Sequence, residues 1–140
     1  MHFCTQQDLV FSGEDISVDL NLFPNDLVFQ LFMELGRTQR DDRGMLEVVF
    51  ERDDTARSYG ATIDQSSDPP FTFTRENVPV TSPTTTPDGE NSIMFTNITP
   101  GRVTVTPMAN AAHCSSAAGT WSFNVEAGCN MRVLLHCPQP

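Results

Sequence analysis

Short runs in which apolar and polar residues alternate, each closed by a turn signal, are the feature of this chain that most narrows its fold. Ile16, Val18, Leu20 and Leu22 alternate with Ser17, Asp19 and Asn21, the period-two pattern of a half-buried strand. Further strand-like runs are Met45 to Glu51, Tyr59 to Ile63, Phe71 to Thr74, Ser92 to Asn97, Arg102 to Pro107, Thr120 to Glu126 and Asn130 to His136. Pro69-Pro70, Asp88-Gly89, Pro100-Gly101 and Ala127-Gly128 punctuate them. Proline presets one turn dihedral and glycine takes a positive φ without steric cost, so such dipeptides mark where the chain reverses. About seven short strands at this spacing predict an all-β fold, an antiparallel, Ig-like β-sandwich. Ala127-Gly128 predicts a hairpin between the last two strands.

One segment breaks the pattern. Asn25 or Asp26 can cap a helix in which Leu27, Val28, Leu31, Phe32 and Leu35 form one apolar stripe, and Gly36 supplies a C-terminal stop. A single short helix over about 25–35 is expected, following the strand at Ile16 to Leu22. Residues 1–43 then form a strand-and-helix lead-in and residues 44–140 the sandwich, together one structural domain. At 140 residues, with ten Phe, the chain is long enough to close one core, burying roughly two-thirds of its unfolded surface.

Charge excludes several partners. The eight basic residues are all Arg, no Lys occurs, and eighteen acids leave a net charge of −10. Such a chain repels phosphate backbones and anionic lipid, so nucleic acid is not an expected partner. No run approaches the ~18 apolar residues of a membrane span, and membrane insertion is not expected. Residues 1–15 lack a basic start and an apolar run, so an exported reading expects the leader to have been removed ahead of Met1.

The four cysteines are Cys4, Cys114, Cys129 and Cys137, with no C-x-x-C pair. An exported domain would use them in two disulfides, each worth about 2–4 kcal/mol. A hairpin turn near Ala127-Gly128 would bring Cys114 towards Cys137 and leave Cys4 for Cys129. The arrangement Cys114–Cys129 with Cys4–Cys137 stays open. A sharper alternative is a zinc or copper site, because His2, His113 and His136 each lie close to a cysteine, and His113, His136, Cys114 and Cys137 could supply nitrogen and sulfur ligands. Neighbouring residues on a strand point to opposite faces, which opposes that set.

No G-x-S-x-G elbow occurs, and nothing singles out one Ser as a nucleophile. Asp41-Asp42, Asp53-Asp54, Asp64, Asp68 and Asp88 fall in loops and turns, without the spacing of a calcium loop. Asn97-Ile98-Thr99 has the form of a glycosylation sequon whose use is not expected with Pro100 following. Trp121 and Phe123 share a strand face, where core packing is expected ahead of a carbohydrate platform.

The stretch from Pro87 to Thr106, Pro87-Asp88-Gly89-Glu90-Asn91-Ser92-Ile93-Met94-Phe95-Thr96-Asn97-Ile98-Thr99-Pro100-Gly101-Arg102-Val103-Thr104-Val105-Thr106, resembles the carboxypeptidase regulatory-like (transthyretin-like, prealbumin-type) domain family. The likeness is an Asp-Gly turn, an apolar strand, an Asn-hydrophobic-x-Pro-Gly turn and an alternating strand. Tyr59-Gly60-Ala61-Thr62-Ile63 and Val125-Glu126-Ala127-Gly128 with Met131, Val133 and Leu135 extend it over about residues 44–137. The resemblance implies a transthyretin-like sandwich and is almost silent on function. Related sandwiches include hydroxyisourate hydrolases with a Tyr-Arg-Gly-Ser tail and intradiol dioxygenases with two iron-binding tyrosines. This chain ends Cys137-Pro138-Gln139-Pro140 and has the one tyrosine Tyr59; the Lys–Asn crosslinks of pilin-type relatives are impossible without lysine.

The function expected is therefore a non-enzymatic accessory or binding module of a bacterial cell-surface or secreted protein, needing no cofactor. Its partner would be a protein or carbohydrate at the cell surface, met by loops 64–70 and 81–91 on a disulfide-stapled scaffold. A secreted, periplasmic or surface location and a monomer or weak oligomer go with it. The rivals are the metal-binding protein above and a structural spacer or self-assembly domain.

Overall fold

The computed structural model describes residues 4–7, 25–52, 57–116 and 121–138. The strand expected over Ile16 to Leu22 lies outside the described residues. The elements are β1 (Cys4–Gln7), α1 (Asn25–Glu34), β2 (Gly44–Arg52), β3 (Tyr59–Ile63), β4 (Phe71–Phe73), β5 (Pro79–Thr81), β6 (Ser92–Ile98), β7 (Gly101–Ala109), β8 (Ser115–Ser116), β9 (Ser122–Val125) and β10 (Cys129–Cys137), with a 3-10 turn over Asn110–His113. The architecture is an all-β sandwich with, among the described residues, one short α-helix. The strand at Phe71 is found as read, whereas β1, β5 and β8, of four, three and two residues, were not read from the sequence, being too short for alternation to show.

The larger sheet runs β1-β10-β2-β6-β4-β5, with β8 beside β10, and the smaller runs β3-β7-β9. Most pairs are antiparallel, but β10 lies parallel to both β1 and β2. The core fills the space between the sheets, with Leu46, Val48 and Phe50 of β2, Ile93 and Phe95 of β6 and Val133 and Leu135 of β10 facing Val103 and Val105 of β7 and Phe123 and Val125 of β9. The alternation of β7 is as read: Val103 and Val105 are buried, Arg102, Thr104 and Thr106 exposed.

The larger sheet is also covered on its outer face. Phe32 of α1 joins Met45, Phe71 and Met94 in a second apolar cluster, flanked by Leu31, Leu35 and Phe73. The helix ends where the glycine signal places it. Gly36 has φ 64°; its N–H donates to the Met33 carbonyl and the Arg37 N–H to the Phe32 carbonyl, the double bond of a Schellman cap.

The hairpin expected about Ala127-Gly128 does not form. β9 pairs with β7 in the small sheet, whereas β10 lies in the large one, so Ala127-Gly128 carries the chain from one sheet to the other. The composition of β10 explains this. Met131, Val133 and Leu135 are buried and Arg132 and Leu134 half-buried, and a strand so largely covered belongs inside a sheet, not at the edge of a hairpin. Pro100-Gly101 likewise joins β6 to β7 across the sandwich, with Gly101 at φ 130°. At Asp88-Gly89 the positive φ, 59°, falls on Asp88. Gly89 is required for space: a Cβ there would lie 2.6 Å from the Phe73 carbonyl oxygen.

Candidate functional site

The chain 79–85 changes sheets. Its first part is β5, on the edge of the large sheet against β4. Its continuation reaches the edge of the small sheet, where the Ala61 N–H donates to the Pro83 carbonyl at 3.1 Å and the Thr85 N–H to the Tyr59 carbonyl at 2.7 Å. Residues 64–70 make the opposite crossing, from β3 to β4. Backbone bonds hold them to β6: the Asp68 N–H donates to the Thr96 carbonyl and the Thr99 N–H to the Ser66 carbonyl, both at 2.9 Å.

Between these two crossings lies a cleft of about 550 Å³, lined by residues 62–63, 65–70 and 81–83 with Phe95. Both loops expected to carry binding therefore meet at one place, 64–70 along most of its length and 81–91 through its first three residues. The walls combine the rings of Pro69, Pro70 and Pro83 with the hydroxyls of Ser66, Ser67, Thr81 and Ser82. Asp68 is the single charged residue among those lining it.

Asp68 is held by a polar network behind the cleft. Its Oδ2 accepts from the Thr96 hydroxyl at 3.1 Å and from Asn97 Nδ2 at 2.7 Å. Asn97 Nδ2 also donates to the Thr38 carbonyl, and Asn97 Oδ1 accepts the Arg40 N–H. Arg37 donates to the Thr96 hydroxyl at 2.9 Å and its guanidinium lies 5.5 Å from the centre of the Phe71 ring. Burial lowers the Arg37 pKa from its ordinary value, and the Asp68 carboxylate opposes that shift. This network ties the segment after α1 to β6 and to the cleft wall, so the wall is pre-organised. Reading by motif missed it, since Asp68 sits among turn residues and its partners are 28 and 29 positions away. The amide nitrogen of the sequon residue Asn97 is engaged in the same network.

The other candidates are dispersed. Cys114 and Cys137 are joined in a disulfide, so neither sulfur is a thiolate. The pairing is the one favoured from the residues, reached by a different route. The antiparallel register of β8 on β10 sets Ser116 opposite Leu135 and Ser115 opposite His136, and its next step sets Cys114 opposite Cys137. Cys129 is also disulfide-bonded; its register partner is Cys4 on β1, whose side chain lies outside the described residues, as does His2. Cys114 and Cys137 are buried while His113 and His136 are exposed; on β10 strand alternation sets His136 and Cys137 on opposite faces, and His113 closes the 3-10 turn before Cys114. The metal set of His113, His136, Cys114 and Cys137 is therefore not assembled. Among the described residues no three His, Cys, Asp or Glu side chains are grouped to hold an ion.

His113 instead stands edge-on to Tyr59, ring centres 6.2 Å apart, and His136 lies 3.9 Å from the Glu51 carboxylate in solvent. Phe123 is buried and Trp121 packs half-buried against the same core, which gives their shared face to packing. Asp64 accepts the Thr104 N–H at 2.8 Å and Asp42 pairs with Arg40, both structural uses, while Asp53 and Asp54 lie outside the described residues. Compared with known proteins, the chain matches no family model, no curated protein and no solved structure.

Proposed function

We propose that this chain is a non-enzymatic, exported binding module of a cell-surface or secreted protein, and that the cleft between residues 64–70 and 81–83 is its contact surface. The observation that carries the reading is the convergence of two sheet-crossing segments on one cleft of about 550 Å³ whose wall is fixed by the Asp68–Thr96–Asn97 network. Concave sites with apolar walls and a few oriented polar groups are where ligands bind. The lining is mainly proline rings and hydroxyls, and its one carboxylate, Asp68, is held by Thr96 and Asn97, an arrangement suited to recognition.

An exported setting is supported by the buried Cys114–Cys137 disulfide, since such bonds persist in oxidising compartments. A transthyretin-like sandwich of the carboxypeptidase regulatory-like kind is the finer reading, supported by the motifs between Pro87 and Thr106 and by the two-sheet core. The test is an array of glycans and peptides probed with the purified chain and two variants. Ser66→Trp fills the cleft from an exposed position, and Thr106→Trp alters the exposed face of the small sheet. Spots bound by the native chain and by Thr106→Trp, but lost with Ser66→Trp, support the cleft. Binding that survives Ser66→Trp, or no binding at all, removes the reading.

A further inference from the structure

Each wall of the cleft contains a strand edge whose backbone groups face away from its own sheet. Along β3, Tyr59 and Ala61 turn their bonding groups toward 83–85, whereas the Asp64 N–H donates to Thr104 of β7 at 3.3 Å. Groups alternate sides along an antiparallel strand, so the Ile63 N–H and carbonyl turn away from β7. The segment that covered Tyr59 and Ala61 does not reach that position. Along β5, the Ser82 N–H donates to the Pro70 carbonyl and the Val78 carbonyl accepts from Thr74 N–H, both on the β4 side. The Thr81 N–H and carbonyl therefore turn away from β4. Both Ile63 and Thr81 line the cleft.

Exposed strand edges of this kind are templates for another chain. Proline guards much of the surroundings, with Pro79 opening β5, Pro83 following it and Pro69 and Pro70 opposite, and among the described residues no hydrogen bond outside the strand pairings reaches the outward groups of Ile63 and Thr81. Charge selects among extended chains. The protein carries a net charge of −10, and among the described residues the hydrogen bonds to Asp68, the one charged residue lining the cleft, fall on its Oδ2. Its Oδ1 is the atom proposed to accept from a cationic side chain.

We infer that the cleft takes an extended, positively charged peptide segment, whose backbone adds as a strand to the outward N–H and carbonyl groups of Ile63 and Thr81. The inference rests on the binding reading above and specifies its ligand. Main-chain bonds supply the affinity and the proline and Phe95 walls receive alternate side chains, as in other strand additions.

The test uses the full chain labelled with nitrogen-15 and three blocked heptapeptides of alternating valine and threonine. The first has lysine at both ends, the second glutamate, and the third has lysine ends with alternate amides N-methylated. The lysine peptide is expected to shift the Ile63 and Thr81 amide signals and slow their hydrogen exchange. N-methylation and glutamate ends should each weaken binding about tenfold or more, since each removes hydrogen bonds or charge attraction. Thr81→Pro removes one outward N–H without touching the bonds of Val80 or Ser82 to β4, and should weaken the lysine peptide alike. Equal binding of the methylated peptide, or shifts produced by a neutral oligosaccharide and not by peptides, overturns strand addition while leaving the cleft a binding site. If no peptide shifts Ile63 or Thr81, the inference falls, and the Ser66→Trp comparison still decides the broader reading.

Discussion

Glu47 shows how one residue of an outward-facing strand position becomes a core problem. In the alternation of β2 it belongs on the face opposite Leu46 and Val48, and in an uncovered sheet it would be solvated. The larger sheet is covered on both faces, and Glu47 is only 9 % exposed. Its Oε2 is 3.8 Å from Arg132 Nε, beyond hydrogen-bond length. Burial raises the Glu47 pKa above the ordinary value, Arg132 opposes the rise, and Glu90 adds to it. A carboxyl whose folded pKa is raised favours the native state below its unfolded pKa, and that contribution is lost as pH climbs through the folded value. Glu47→Gln has no such loss. The variant should therefore gain stability relative to the native chain as pH rises from about 4 to neutrality, read as urea midpoints. A constant difference across that range would contradict the assignment.

At the scale of elements, the helix and several strands were legible because their signals are local. The stripe through Leu31, Phe32 and Leu35 and the Gly36 stop predict α1 within a residue of its end, and Tyr59–Ile63 is read at its observed bounds. Pairing was not legible. Ala127-Gly128 carries the chemistry of a tight turn whether the chain returns beside itself or crosses to another sheet, so the hairpin expected there was a choice that local chemistry cannot make. β8, with two residues, has no alternation to read, yet it aligns Cys114 with Cys137. That disulfide closes a separation of 23 residues, and a loop of this size stabilises the fold by about 3 kcal/mol on a chain-entropy account. Replacing both cysteines by alanine should lower the unfolding free energy by that order, with far-ultraviolet circular dichroism retained at low temperature. A loss near zero would mean that β8 is held to β10 without the bond.

For the molecule as a whole, a net charge of −10 on 140 residues makes self-repulsion a general cost of compactness. Among the described residues, the pair of Asp42 with Arg40 is exposed, and such pairs contribute little. Raising ionic strength from ~0.01 M to ~0.15 M shortens the screening length from ~30 Å to ~8 Å. The thermal midpoint should rise over this interval, and it should rise with a chloride salt as well as with sulfate, since screening and not ion exclusion is the cause. A midpoint that falls would mean that local attractions outweigh the net repulsion.

Taken by itself, the order of residues determined the strand-forming runs, the reversals at proline and glycine, the helix at Asn25–Glu34 and the polar loops at 64–70 and 81–91. Each of these depends on the dihedral preferences and alternation of neighbouring residues. Only the tertiary structure decided that β10 lies parallel between β1 and β2, that residues 64–70 and 81–83 line one cleft, and that the backbone groups of Ile63 and Thr81 turn away from β7 and β4. Those outcomes depend on which distant strands share hydrogen bonds and on which faces exclude water together, and neither leaves a mark on the residues next to them in the chain.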